Sequence, residues 1–378
     1  MRLGGPGAIA IYSLGPSDDT SWGRERFPQP ANSPTSMAGP IVKGVAVGVE
    51  GLRVSVIMAA YNAARFLDDS IRSVLHQTID DFELMVIDDA STDGSRALAE
   101  GYAGTDSRIR VLSTGVNSGQ NAARIQGIGL ARGAWLAMID ADDAWTPEKL
   151  AKQLLLAETD PGLVVIGSNC LTMSQSGQHL AEHRYPTRHR RLFRNLDRHR
   201  RFPPHSSMLM RREATHQVGG YNARFVNAPD RDLTYRLSEV GKLGLVAEPL
   251  VRIRKHSGSL SEGSGFRPEF AIAASVCHWL RVWGHPDPSR ELDEPAWDAF
   301  MEWVRRQAEE AGLSAPRAAL QKIRRDEHSH PRSWRRLRLG AAILRSGRAI
   351  PIVVQRWWGL SLPTRLAREW VIRSGIKT

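Results

Sequence analysis

Cysteine is nearly absent, with Cys170 and Cys277 the only two among 378 residues. One bridge at most can form, so a disulfide scaffold is excluded, no spacing resembles a zinc site, and the scarcity fits a reducing compartment. Long apolar runs are missing too. The longest candidate, Leu339–Val354, is cut by Arg345 and Arg348 and falls short of the ~18 uninterrupted apolar residues that a membrane span needs. Near the start, Arg2 is followed by a brief apolar patch, Ala8–Leu14, but Gly4, Gly5, Pro6 and Gly7 precede it and no small-residue cleavage site follows. No signal peptide is expected. There is no Walker loop and no Gly-x-Ser-x-Gly elbow. A dinucleotide fingerprint fails as well: in Gly127-Ile128-Gly129-Leu130-Ala131-Arg132-Gly133, Arg132 stands where the last glycine is required, and the segment follows a helical pattern and not a strand.

What is present is the composition of a globular protein, 42% apolar and 24% charged, which excludes a wholly disordered or collagen-like chain. The length implies one large domain with extensions, or two domains. The net charge of +11 is unevenly spread. Residues 184–212 hold ten Arg against one Asp, and residues 316–378 hold fifteen Lys and Arg against three acids. Without those two segments the chain is acidic. Such basic appendages attract polyanions in general: phosphates, anionic lipid or nucleic acid.

Residues 1–50, rich in Gly, Pro and Ser, read as a disordered leader. From Arg53 the texture changes. Apolar runs of strand length, Val54–Ala59, Phe82–Ile87, Ile109–Leu112 and Ala134–Ile139, alternate with helical patterns through Phe66–Leu75, Ser95–Glu100 and roughly Ser118–Ala131. That alternation predicts βαβ units, right-handed crossovers and a mostly parallel sheet covered on both faces. Thr146-Pro147-Glu148 predicts a helix start, with Thr146 as N-cap and Pro147 at the first helical position. Further on, Leu163–Ser168 and Val251–Arg254 look like strands, Asp230–Glu239 like a helix, and 184–201 like a solvated helix or loop. After Pro268 only helices are expected: Phe270–Trp283, Ala296–Ala311, Arg317–Arg325, Trp334–Leu344 and Arg365–Ser374.

In open α/β sheets, ligands bind outside the carboxyl ends of the strands. Acidic clusters sit at such ends or soon after: Asp88-Asp89, Asp140-Ala141-Asp142-Asp143, and later Asp230-Arg231-Asp232. Three carboxylates within four residues repel one another unless a cation joins them. They either cap a solvated loop or hold a hard, oxygen-preferring ion such as Mg²⁺ or Mn²⁺ carrying a phosphate ligand. Asp89 either terminates a strand or accepts the N–H of a pyrimidine base, and Tyr61 is an aromatic on which a base can stack.

These segments carry a resemblance. Val54–Asn62, Val86–Ser95, Asn117-Ser118-Gly119 with Ala123-Arg124, and Asp140–Asp143 resemble, in this order, the motifs of family-2 glycosyltransferases. Downstream, Gly219-Gly220-Tyr221, Asp230-x-Asp232-Leu233 with Arg236, Glu248-Pro249-Leu250 and Arg254–Ser261 agree with that family's acceptor half. The resemblance covers about residues 53–258. It implies an α/β GT-A fold, a mostly parallel twisted sheet flanked by helices, with a glycosyltransferase domain over 51–262. Residues 51–160 would be the nucleotide-sugar half, 161–262 the acceptor half, and 263–378 a basic helical C-terminal extension.

The resemblance also implies roles. Ala59, Tyr61, Asp89, Arg124, Asp140 and Asp142 would bind the nucleotide-sugar, with Tyr61 and Asp89 at the base and Asp140 nearer the ribose. Asp142 and His256 would hold a divalent metal, Mn²⁺ or Mg²⁺. Asp230 would be the catalytic base of an inverting transfer, and Asp232 and Arg236 would lie on the acceptor side. Two positions depart from the family's pattern: Ile125 replaces an Asn, and Pro229 replaces the Glu before the base. The Gln-x-x-Arg-Trp signature of processive synthases is absent, which argues against a chain-extruding enzyme. The expected donor is a UDP-sugar and the expected acceptor a glycan or lipid-linked saccharide. The expected location is the cytoplasm, with peripheral contact to anionic membrane through the Arg- and Trp-bearing C-terminus (Trp334, Trp357, Trp358, Trp370). Rival readings are a catalytically weakened nucleotide-sugar binder and a nucleic-acid-binding protein. No recognised nucleic-acid motif supports the second, and no nucleic-acid partner is expected.

Overall fold

The structure, a computed structural model, describes residues 51–258, 267–310 and 362–374. The expected leader, the helices over Arg317–Arg325 and Trp334–Leu344, and Trp334, Trp357 and Trp358 lie outside the described residues.

Four consecutive strands form a parallel run at one end of the sheet: β1 (Val54–Ala60), β2 (Phe82–Asp88), β3 (Ile109–Ser113) and β4 (Trp135–Asp140), in the order β3-β2-β1-β4. Every residue of β1 and β2 is buried. That is why these strands read as unbroken apolar runs and not as alternating ones. Helices α1 (Ala64–Leu75) and α2 (Ser95–Ala103) cover one face, and α3 (Gln120–Leu130) covers the other. In α1 the buried Leu67, Ile71 and Val74 recur at helical spacing and meet Val56, Met58 and Leu84. On the opposite face Ile57 and Ile87 pack with Ala123 and Ile128. The glycines of the failed fingerprint serve this packing. A Cβ on Gly127 would stand 2.7 Å from Ile57 Cγ2, and one on Gly133 would stand 2.5 Å from the backbone of Val54 and Ser55.

At the amino ends of these strands, Glu83 is buried to 2% exposure. It accepts hydrogen bonds from Ser55 Oγ at 2.6 Å, Arg110 Nη1 at 2.8 Å and Arg132 Nη2 at 2.7 Å. Burial opposes its ionisation, but Arg132, Ser55 and Arg110 outweigh that and lower its pKa to about 2.

The same sheet continues through β5 (Ala144–Trp145), β6 (Leu163–Met173), β7 (His179–His183), β8 (Leu209–Arg211) and β9 (Lys242–Arg254). Beyond β4 the order is β8-β6-β9-β5, with β7 beside β6. Strands β6 and β9 run parallel, while β8, β7 and β5 run antiparallel to their neighbours. Between them lie α4 (Lys149–Thr159), α5 (His189–Asp197), α6 (Arg212–Gln217) and α7 (Pro229–Val240). Strands β6 and β9 are each longer than the sequence predicts. Within segment 184–201 the helix α5 covers His189–Asp197 and the rest is loop, with the arginines in solvent and Leu192 and Leu196 buried.

One cap differs from expectation. Thr146 does not cap α4; its Oγ1 is buried without a partner, and Gln77 Oε1 accepts the Leu150 N–H at 3.0 Å instead. Lys149 is wholly buried, its Nζ 3.8 Å from the Trp145 ring and 2.8 Å from Gln153 Oε1, and burial pushes its pKa well down.

The described C-terminal residues contain the helices α8 (Pro268–Val282), α9 (Pro288–Glu291), α10 (Glu294–Glu310) and α11 (Leu362–Ser374), in line with the expected Phe270–Trp283, Ala296–Ala311 and Arg365–Ser374. These build a third core with Phe225 and Tyr235. Trp370 packs inward, its ring centroid 4.8 Å from that of Phe300 and 5.1 Å from that of Trp303. Cys170 and Cys277 are buried free thiols. Among the described residues no helix is long and apolar enough to cross a membrane.

Candidate functional site

Strand register decides which acidic residues meet. In the ladders, Ala59 pairs with Ile87 on one side and Asp140 on the other, and Ala60 pairs with Asp88. Asp88, Asp89 and the Asp140–Asp143 loop therefore leave the sheet at one edge, the carboxyl ends of β1, β2 and β4. Tyr61, the residue after β1, is 49% exposed there. The loop behind it is pinned by Asn62, in left-handed backbone (φ 47°), whose Oδ1 accepts the Thr92 N–H at 2.8 Å.

Asp89 is 2% exposed. Its Oδ1 accepts from Thr114 Oγ1 and the Ser118 N–H, both at 2.9 Å, and its Oδ2 accepts the Gly119 N–H at 2.8 Å. The carboxylate thus clamps the turn that leads into α3, a task its place in the sequence does not reveal.

Across the edge, Arg124 of α3 donates to Asp140 Oδ1 at 2.7 Å, and Gln120 Nε2 donates to the same oxygen at 3.2 Å. Burial works against Asp140 ionisation, but Arg124 and His205 overcome it and hold the carboxyl well below its usual range. Asp142 moves the other way, raised by burial and by the Asp140 charge. Its Oδ2 lies 2.9 Å from His256 Nε2. The His256 ring in turn packs 4.8 Å from that of Phe66. Asp143 is a structural group: Oδ2 accepts from Ser206 Oγ at 2.5 Å and Oδ1 from the Arg254 N–H at 2.9 Å. Burial, with Asp142 and Asp140 adding, raises its pKa well above the carboxylate norm. Arg254 also donates to the Asp142 carbonyl at 2.9 Å and to Asp69 at 3.0 Å, so it ties α1, the acidic loop and β9 together.

Residues 205–221 supply the remaining side. Ser206 Oγ accepts the Asp140 N–H at 3.1 Å. His205 Nδ1 stands 3.8 Å from Asp140 Oδ1, and its Nε2 shares a 2.5 Å hydrogen bond with the Tyr221 hydroxyl. Burial raises the Tyr221 pKa, and the charges of Asp230 and Asp140 add to it. Asp230 is the second residue of α7. Ala228, left-handed at φ 55°, and Pro229 at the first helical position set the start of that helix.

Asp232 and Arg236 point elsewhere. They are 0% and 3% exposed and pair with each other at 3.1 Å through Arg236 Nε, and Arg236 Nη1 donates to the Val218 and Gly220 carbonyls at 2.7 Å. Buried this way they brace the Gly219-Gly220 turn beneath Tyr221 and do not line an acceptor surface. His205, Ser206 and Gln120 had no motif to reveal them, being isolated polar residues in weakly patterned segments. A separate groove of about 710 Å³, lined in part by Arg224, Phe270, Trp297 and Met301, opens on the helical side and includes none of these groups.

Among the described residues no group of three or more His, Cys, Asp or Glu side chains is arranged to hold a metal ion. Asp142 and His256 form a two-member donor set of one carboxylate and one imidazole.

Comparison with known proteins follows the same ground. The family model described as "Glycosyl transferase family 2" matches residues 55–219. EpsE of Bacillus subtilis (strain 168), which carries the name of a glycosyltransferase, is 31% identical over 223 residues, 57% of this chain and 77% of that protein. The O-antigen biosynthesis protein RfbC of Myxococcus xanthus is 31% identical over 248 residues, 64% of this chain but 19% of RfbC. TuaG of Bacillus subtilis (strain 168), named as a glycosyltransferase of teichuronic acid biosynthesis, is 42% identical over 101 residues, 27% of this chain and 40% of TuaG. The chain thus spans less than half the length of RfbC and of TuaG. Among solved structures, S. aureus TarS 1-349 in complex with UDP-GlcNAc superposes with a TM-score of 0.52 at 17% identity, covering 69% of this chain and 71% of that one. At that identity the likeness is one of fold.

Proposed function

The chain belongs to glycosyltransferase family 2 and has the GT-A fold, and from that premise we propose that it transfers a sugar from a nucleoside-diphosphate sugar to an acceptor hydroxyl, with inversion at the anomeric carbon. The observation that carries this reading is the edge shared by β1, β2 and β4. There the ionised, Arg124-paired Asp140 adjoins Asp142, whose Oδ2 lies 2.9 Å from His256 Nε2.

In this reading residues 51–160 handle the donor and 161–262 the acceptor. The exposed Tyr61 ring stacks on the base, and Asp89 retains one lone pair, on Oδ2, for a base N–H beyond the three donors it already serves. Asp140, kept ionised by Arg124, accepts from ribose hydroxyls. A UDP-sugar is the proposed donor, by analogy with the TarS complex. The proposed acceptor is a glycan or lipid-linked saccharide of surface-polysaccharide assembly, the process for which RfbC and TuaG are named.

An acidic cleft repels a diphosphate unless a cation joins them. Asp142 would hold such an ion, Mg²⁺ or Mn²⁺, through its carboxylate, with His256 beside it at 2.9 Å. Bound there, such an ion supplies charge neutralisation to the departing diphosphate. Asp230 takes the proton from the acceptor hydroxyl, a step worth about 10²–10⁴-fold. The freed oxygen pair attacks the anomeric carbon from the face opposite the diphosphate, the carbon–oxygen bond to phosphate breaks, and the nucleoside diphosphate leaves. One displacement suffices, so no nucleophilic Ser or Cys is called for.

The test is a panel of UDP-, GDP- and dTDP-sugars with Mn²⁺, read by thermal shift and by nucleoside diphosphate release, with the product's anomeric configuration read by NMR. Stabilisation by UDP-sugars and an inverted product are expected. A retained configuration, or indifference to every nucleotide-sugar, overturns the proposal.

A further inference from the structure

Helix α5 carries a charge that glycosyl transfer leaves unused. With 3.6 residues per turn, Arg190, Arg191, Arg194 and Arg198 fall within an arc of about 100°. All four are exposed, as are the flanking Arg188 and Arg200. None of the six has a salt bridge to an acid among the described residues. The nearest acids in sequence are engaged otherwise: Glu182 pairs with Arg184 at 2.7 Å, and the buried Asp197 accepts from Trp279 Nε1 at 2.8 Å. The remaining sequence adds little negative charge. Residues 311–361 hold eleven basic and two acidic residues, and residues 1–50 hold four of each.

The opposite side of α5 is fixed. Leu192 and Leu196 are buried at 1% and 0% exposure, and the Leu196 carbonyl accepts from the Tyr235 hydroxyl at 3.1 Å and from Arg231 Nη1 at 3.2 Å. The helix can neither roll nor lend its apolar face to another partner. Like charges held side by side at an exposed surface repel one another until an anionic partner arrives.

We propose that this arginine face is a docking surface for an anionic phospholipid bilayer. From Arg190 to Arg198 the stripe runs about 12 Å along the outer side of the helix, suited to a field of several phosphates more than to one small anion. Guanidinium forks bind phosphate oxygens in pairs. Because the apolar side of α5 is committed to the protein core, contact is electrostatic, without insertion. Arg231, which grips α5, directly precedes Asp232 and follows Asp230, so a docked α5 holds the start of α7 close to the lipid surface.

The full chain is sedimented with phosphatidylcholine vesicles with and without phosphatidylglycerol. Binding is expected only where phosphatidylglycerol is present, and is lost in 1 M salt, where the screening length falls to about 3 Å. Each basic residue near such a surface contributes about 1 kcal/mol, roughly fivefold in binding. Replacing Arg190, Arg191, Arg194 and Arg198 together by Ala therefore weakens vesicle binding on the order of 100-fold or more. The melting temperature should hold, since the four side chains are in solvent, and the matching Arg→Lys variant should regain most of the binding. Parent-like vesicle binding by the Ala variant overturns the proposal. So does loss of binding only when Arg335, Arg336, Arg338 and Arg345 are neutralised, which would move the contact to the C-terminal segment. Preference for a DNA duplex over vesicles through the same α5 arginines also overturns it. The assay reads binding alone, so its outcome is separate from that of the sugar-transfer reading.

Discussion

His256 Nε2 lies 2.9 Å from Asp142 Oδ2, although 114 positions separate the two in the chain. The contact joins the end of β9 to the loop after β4, so it exists only when both halves of the sheet are assembled. If these two groups hold a divalent ion, Asp142→Asn and His256→Ala should each cut transfer by at least about 100-fold, the scale of losing charge stabilisation at a reacting centre. EDTA should suppress the parent to the same degree, and Mn²⁺ should restore the parent alone. Undiminished transfer in chelator would remove the metal from the account.

Asp230→Asn keeps the size and polarity of the side chain but cannot take a proton. The expected result is a fall in kcat of about 10²–10⁴-fold with the KM for nucleotide-sugar nearly unchanged. Steady-state kinetics with the donor varied distinguishes this from a binding defect, which would raise KM instead.

Glu83 predicts a pH signature in stability. Its folded pKa of about 2 lies below the ordinary 4.5, so its stabilisation is full above about pH 4.5 and disappears as pH falls through 2. The linkage is worth about 3 kcal/mol. Parent and Glu83→Gln melting curves should therefore lie furthest apart from pH 5 upward and converge toward pH 2. A gap that stays constant across that range would show that the carboxylate charge contributes nothing.

Arg236→Met strands the Asp232 carboxylate, which is wholly buried and already has one oxygen, Oδ1, without a hydrogen bond. The cost should be about 3–5 kcal/mol, the usual penalty of an orphaned buried charge. Asp232→Leu combined with Arg236→Met should be less damaging than the single Arg236→Met change, because no charge is left behind. Denaturant titration of the two single variants and the double measures the coupling.

The first half of the fold is legible in the chain because parallel strands buried on both faces leave unbroken runs such as Phe82–Ile87, punctuated by amphipathic helices. Legibility fades after β4. Strands β5 and β8 have two and three residues, too few for any period to register, and β7 is largely exposed. The acidic positions stand out because charges at the ends of apolar runs are conspicuous. His205 and Ser206 do not, since only the antiparallel return of β8 beside β4 brings them under Asp140. Asp232 and Arg236 mislead for a related reason: four-residue spacing describes an ion pair on a helix equally well whether the helix shows that side to solvent or to the interior.

The sheet passes from β3 to β5 without a seam, and this bears on how such a protein can be cut or recombined. A fragment ending at residue 160 would leave the outer edge of β4 bare where β8 belongs, inviting it to aggregate with copies of itself. It would also strip Asp143 of Ser206 and Arg254, abandoning a buried carboxylate. A graft of the first four strands would therefore have to bring β6, β8 and β9 with it, and altering loops disturbs the sheet less than exchanging its halves.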